Sequence, residues 1–110
     1  MSNADTIAAT PQPPYYAVIF TSVRTPGDHG YVAMAERMVE VARGMPGFLG
    51  VESAREGLGI TVCYWDSLAA IAAWKAHSEH EHAQRLGKEK WYQSFRLRVA
   101  LVERDDSPRV

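Results

Sequence analysis

The chain has 110 residues, 46% of them apolar and 23% charged, with 12 basic residues against 13 acidic ones and a formal net charge of −1. That length allows one domain, because two cores would leave each half too small to be stable alone. The near-neutral balance gives no electrostatic footprint for nucleic acid, no apolar run approaches the roughly 18 residues of a membrane span, and one cysteine excludes an internal disulfide and a cysteine-based zinc site.

Residues 1–14 have no apolar periodicity and end with three prolines in four positions, which predicts a flexible arm. Residues 1–10 also lack the basic start and long apolar stretch of a signal peptide, so a cytoplasmic location is expected. Residues 15–24 (YYAVIFTSVR) are β-branched and aromatic and apolar on both faces, as in a strand covered on both sides. Placing Tyr15, Ala17, Ile19 and Val23 toward the helices leaves Tyr16, Val18 and Phe20 facing away. That second apolar face is costly to leave in water, and a second copy of the chain covering it predicts a two-fold homodimer.

Residues 25–28 (TPGD) read as a turn that can start a helix. From there Tyr31, Met34, Ala35, Met38, Val41 and Ala42 recur at helical spacing, with Glu36, Arg37, Glu40 and Arg43 opposite. Gly44 and Pro46 stop this helix. Residues 48–55 and 58–65 form two strands joined at Glu56-Gly57, a link short enough to require an antiparallel hairpin. Asp66 and Ser67 offer caps for a helix over 68–76. Ser78 with Glu81 makes a capping box, which predicts a break and a second helical segment to about Tyr92. Phe95, Leu97, Val99 and Leu101 alternate with Arg96, Arg98 and Ala100 in a last strand, and 105–110 form a polar tail.

The order β-α-β-β-α-β describes an α+β, ferredoxin-like domain over residues 15–104, with both helices on one face of an antiparallel sheet. Within it, Pro46-Gly47-Phe48-Leu49-Gly50, then Val62-Cys63-Tyr64-Trp65-Asp66-Ser67-Leu68, and then Trp74 resemble the antibiotic biosynthesis monooxygenase family. The resemblance implies a dimeric α+β barrel, and it covers nearly the whole of 15–104. It also implies chemistry that differs between branches of the family. Set against the cofactor-free oxygenases that turn polycyclic phenols into quinones, Trp65 matches their tryptophan and Arg85 their arginine. Thr61 stands where they have asparagine, and Ile71 where they have tyrosine. Set against the haem-degrading branch, Trp74 matches the tryptophan, Phe20 or Thr21 takes the asparagine position, and Gln84 that of the axial histidine.

Three of the four histidines, His77, His80 and His82, lie within residues 75–84. On a continuous helix His77, His80 and Glu81 share a face with Trp74, Gln84 and Trp91, a grouping that could hold a first-row metal or a haem iron. A solvated helix start with acidic residues near its N-terminus explains the same pattern. Trp91 and Tyr92 read as core or interface, and Cys63, flanked by apolar strand residues, as inert. Arg96 and Arg98 can hold an anion or simply guard an edge strand.

The leading expectation is an oxygenase without a cofactor, acting on a small aromatic or quinol-type compound. Trp65, Trp74, Thr61 and Gln84 would bind it between sheet and helices, His77 or His80 would act as base, and Arg85 would polarise a phenolate or carbonyl oxygen. The alternatives are a non-catalytic dimeric module for a small aromatic ligand and a haem-binding protein.

Overall fold

A computed structural model describes residues 6–77 and 90–107. Its elements are β1 (Tyr15–Arg24), α1 (Tyr31–Arg43), β2 (Phe48–Arg55), β3 (Gly59–Trp65), α2 (Leu68–Lys75) and β4 (Tyr92–Val102). The strands form one sheet in the order β2-β3-β1-β4, antiparallel throughout. Met38 and Ala42 of α1 and Ile71 and Trp74 of α2 meet Val18 and Trp65 in one core, so both helices lie on one face. This is the ferredoxin-like α+β arrangement that the element order predicts. Among the described residues, no helix is long and apolar enough to cross a membrane.

Register decides which residues share the helix face. Val18 stands opposite Cys63 and Val99, Phe20 opposite Thr61 and Leu97, and Tyr16 opposite Trp65 and Leu101. On β2, Phe48 faces Trp65, Val51 faces Cys63 and Ser53 faces Thr61. The even residues of β1 therefore point at the helices, the reverse of the expected assignment. Alternation inside β1 cannot settle this, because both of its faces are apolar. Its neighbours settle it: Ile19 is in register with Arg98 and, through Val62, with Glu52, while Thr21 opposes Arg96. Turning the odd face inward would bury those charges without partners, at a cost of several kcal/mol each.

That odd face carries contacts from the segment before β1. The Glu52 carboxylate accepts the Ala8 backbone N–H (2.9 Å) and the Tyr64 hydroxyl (2.7 Å). The Thr10 hydroxyl donates to Tyr15 (3.0 Å), and Tyr15 in turn donates to Asp105.

Local chemistry places the helix starts. Asp28 holds both ends of its carboxylate on α1, accepting from the N–H groups of Gly30 (2.9 Å) and Val32 (3.1 Å). Ser67 does the same for α2 by accepting from Ala70 (3.0 Å). Tyr92, expected to close a helix, opens β4 instead and pairs with Arg24. Most of that expected helical segment lies outside the described residues.

The two motifs that carry the family resemblance touch each other. Gly47 has φ +87°, and its carbonyl accepts the Asp66 N–H at 2.8 Å. The next residue, Phe48, sets its ring edge-on to Trp65, with centroids 5.3 Å apart. A Cβ on Gly47 would overlap the Asp66 carboxylate and come within 2.6 Å of the Ala70 Cβ, in a backbone region that side chains resist. Gly47→Ala is therefore expected to destabilise the fold by roughly 2–3 kcal/mol in urea unfolding. A loss below about 0.5 kcal/mol would show that this crossing bears no strain.

Candidate functional site

Between the sheet and α1 lies a cavity of about 270 Å³. Val18, Phe20 and Leu97 form part of its floor, and Met34, Met38 and Ala42 its helical wall. Phe48 and Trp74 close one end. At the other end stand Tyr31, Trp91, Tyr92 and Phe95. These rings support one another: Phe20 stands edge-on to Tyr92 at 5.2 Å and tilted against Phe95 at 5.4 Å, and Tyr31 meets Tyr92 at 5.7 Å and 90°. A flat apolar molecule fits such walls, since aromatic edges and flexible methionines supply area without demanding hydrogen bonds.

A few polar groups interrupt the lining. The Ser53 and Thr61 hydroxyls are hydrogen-bonded to each other at 2.9 Å. Glu36 projects from α1, and Tyr31 and Tyr92 bring phenol groups. Burial, reinforced by the Tyr31 hydroxyl beside it, pushes the Tyr92 phenol well above the ordinary tyrosine range, while Arg55 and Arg24 act in the opposite direction. Burial alone pushes the Cys63 thiol up to about 12, so this lining residue carries a proton at neutral pH, in keeping with an inert role.

The sequence candidates divide among three places. Thr61 and Trp74 line the cavity. Trp65 does not reach it: with 0% of its surface exposed, it stands behind Trp74 (5.4 Å) and Phe48, supporting the two rings that close that end. The strand parity that points Trp65 at the helices also seats it beneath α2, where Ile71 and Trp74 shut it off from the cavity. His77 follows α2, its backbone N–H bonded to the Trp74 carbonyl at 3.0 Å, and is half-buried outside the lining. His80, Gln84 and Arg85 lie outside the described residues.

Sequence reasoning missed the aromatic end and its charges. Trp91, expected as core or interface, is buried and also lines the cavity, its indole N–H donating to the His29 carbonyl at 2.9 Å. Tyr31 entered only as one of an apolar stripe. The Arg24 guanidinium stacks on the Tyr31 ring at 3.6 Å, and that of Arg55 lies 5.9 Å from the same ring. One signal was present in the sequence: Gly59 inside a strand pattern, which marks a close approach by another group.

An antiparallel four-stranded sheet with two helices on one face and an apolar cavity between them defines the ferredoxin-like class, which hosts many functions. The profile of the antibiotic biosynthesis monooxygenase family matches residues 14–86. The uncharacterized protein YqjZ of Bacillus subtilis is 56% identical over 102 residues, covering 91% of this chain and 90% of that one. A variant of SnoaB, a cofactor-independent oxygenase from Streptomyces nogalater, shares the fold at a TM-score of 0.73 and 11% identity, over 86% of this chain and 98% of that one. Protein SO0527 from Shewanella oneidensis aligns at 0.72 and 13% identity, over 81% and 91%. The chain belongs to the antibiotic biosynthesis monooxygenase family.

The buried acids have a consequence for pH. An unfolded cysteine releases its proton near 9.0, whereas Cys63 in the fold holds it to about 12. Between those values the native state binds a proton that the unfolded chain has lost, so stability falls as pH rises. The Tyr64 and Tyr92 phenols, both raised chiefly by burial, act in the same direction above 10.0. Unfolding free energy from urea titrations should be level just below pH 9 and decline from there to 12. A curve that rises across that window would contradict the burial of these groups.

Proposed function

We propose that the chain is a cofactor-independent oxygenase for a small aromatic or quinol-type compound, held in the cavity between the sheet and α1. The supporting observation is the cavity itself: apolar, aromatic at both ends, with paired hydroxyls from Ser53 and Thr61 on its floor. Likeness of fold to an oxygenase that works without a cofactor supports the same reading.

In this chemistry the substrate supplies the electrons. Loss of a proton from a ring hydroxyl makes an electron-rich anion, which forms a carbon–oxygen bond with dioxygen. Loss of a second proton from that carbon and cleavage of the O–O bond release water. A phenol and dioxygen thus become a quinone and water. The protein need only deprotonate, position the ring and exclude bulk water. Trp74 stacks on the ring with Trp65 as its backing, and the Thr61 hydroxyl meets a ring oxygen. We assign the base to His77 or His80, the polarising charge to Arg85, and a lining contact to Gln84. For His77 the support is its place one turn beyond Trp74.

The working unit in this reading is a homodimer. The sheet face turned away from the helices keeps Ile60 42% exposed, beside the half-buried Ile19 and Val62. Covering such surface gains about 25 cal/mol per Å². Sedimentation at low micromolar concentration should give the mass of two chains, and a single species of one chain would overturn this.

A ligand-binding module without turnover is the second reading, favoured by a lining of mostly apolar side chains that can hold a flat ring without reacting with it. Oxygen uptake with dihydroxynaphthalenes and anthrones separates the two. The oxygenase reading predicts consumption above the spontaneous rate, lowered on the order of 100-fold in a His77→Ala/His80→Ala double variant. An unchanged rate in that variant would remove the base assignment. Binding with no uptake would leave the module.

A further inference from the structure

The helix face of the sheet changes character along its length. From Phe48 and Trp65 it runs through Val18, Val51 and Cys63 to Phe20, Ser53 and Thr61, and then to Ser22, Gly59 and Arg55. Gly59 is the partner in register of both Arg55 and Ser22. A Cβ there would overlap the Arg55 guanidinium, so the missing side chain is the seat across which Arg55 reaches β1. On arrival its terminal nitrogens donate to the Ser22 carbonyl (3.3 Å) and to the Ser22 hydroxyl, a side chain 1% exposed. Arg24, one step further on the same face, donates to the carbonyls of Trp91 (3.1 Å), Gly27 (3.0 Å) and Asp28 (3.4 Å) while stacked on Tyr31.

Every one of these acceptors is neutral. They hold the two guanidiniums in place and bring no opposite charge to either. Among the described residues neither arginine forms an ion pair. The Asp28 carboxylate is spent on the start of α1, and Glu36, an exposed residue of the cavity lining, forms no ion pair with either arginine. A guanidinium has five N–H donors, so Ser22 leaves three on Arg55 unused. Both charges lie within one ring of Tyr31, which is itself cavity wall, and both act on the Tyr92 hydroxyl opposite. Neither arginine is among the residues lining the cavity, and Arg55 is exposed. The Tyr31 ring beside both cations is cavity wall, however, so the aromatic end of the slot lies in their field and suits a molecule with a flat apolar body and one anionic end.

We infer that the Tyr31–Tyr92 end of the cavity is an oxyanion subsite, with Arg55 the specificity-determining residue, and that the ligand is an aromatic compound bearing a carboxylate. This rests on the cavity being the ligand site and not on the ligand being oxidised. Arg55 supplies charge from beside Tyr31 and not from the lining itself, and Arg24 holds Tyr31 in place and adds to the field. Gly59 is a positioning residue that acts only through Arg55.

Tryptophan fluorescence, with 2-naphthoate and its neutral isostere 2-naphthamide as probes, tests the inference apart from any reaction. The wild-type protein should bind the carboxylate at least tenfold more tightly than the amide, about 1.4 kcal/mol. Arg55→Gln should bring that ratio near one with amide binding unchanged, and Arg55→Lys should restore part of it. Gly59→Ala, which keeps every charge but displaces the guanidinium, should also lower the ratio, and it keeps the test decisive if Arg55→Gln fails to fold. Equal wild-type affinities, or a preference that survives both variants, would overturn the subsite while leaving the cavity reading intact. Failure of both probes to bind would overturn the cavity reading with it.

Discussion

The indole of Trp65 has none of its surface in contact with solvent, with the Phe48 ring edge-on at 5.3 Å and the Trp74 ring tilted against it at 5.4 Å. Phe48 opens β2, Trp65 ends β3 and Trp74 lies near the end of α2, so one side chain joins three elements. Removing a ring of that size from a core costs about 3–5 kcal/mol in general. Its neighbours in sequence depend on it as well. Asp66 donates back to Gly47, whose positive φ turns the chain from α1 into β2, and Ser67 caps α2. The glycine-phenylalanine and tryptophan-aspartate-serine motifs, separate in sequence, are thus two halves of one joint.

From that joint the helix face runs out as a gradient. At the Trp65 end the sheet floor is closed by α2. Further along, α1 bridges the sheet on methionines, and the cavity occupies the space between. Beyond Ser53 and Thr61 the sheet face continues past the cavity to Ser22, Gly59 and Arg55. A ligand lying along the sheet would therefore have its apolar part toward Trp74 and its polar part toward Arg55. Orientation is built into the strand register, because the residues that set it alternate along β1, β2 and β3.

Local periodicity made most of the fold legible. The strand patterns of 48–55 and 58–65, the helical stripe of 31–43, the turn at 25–28 and the cap at Ser67 all report on neighbours in sequence. The face assignment of β1 was not legible from β1, since Tyr16, Val18 and Phe20 are as apolar as Tyr15, Ala17 and Ile19. It depends on charges carried by β2 and β4 at Glu52, Arg96 and Arg98, and those act only through register. The candidate site was legible in part. Thr61 and Trp74 sit on the motif that carries the resemblance, whereas Arg24, Tyr31, Arg55 and Tyr92 come from four elements and meet only in the folded chain. Arg55 and Gly59 look like an ordinary hairpin end until the guanidinium is seen to cross the glycine.

If aromatic ligands enter the space between the sheet and α1, the methionines that line it will sense the ring. Of the four in the chain, Met34 and Met38 line the cavity, while Met45 packs against the core outside it. A titration of methyl-labelled methionine protein with 2-naphthoate, followed by two-dimensional NMR, would place the ring. Ring-current shifts at the Met34 and Met38 methyls are the predicted result. Saturable binding that leaves both of those methyls unshifted would contradict the account.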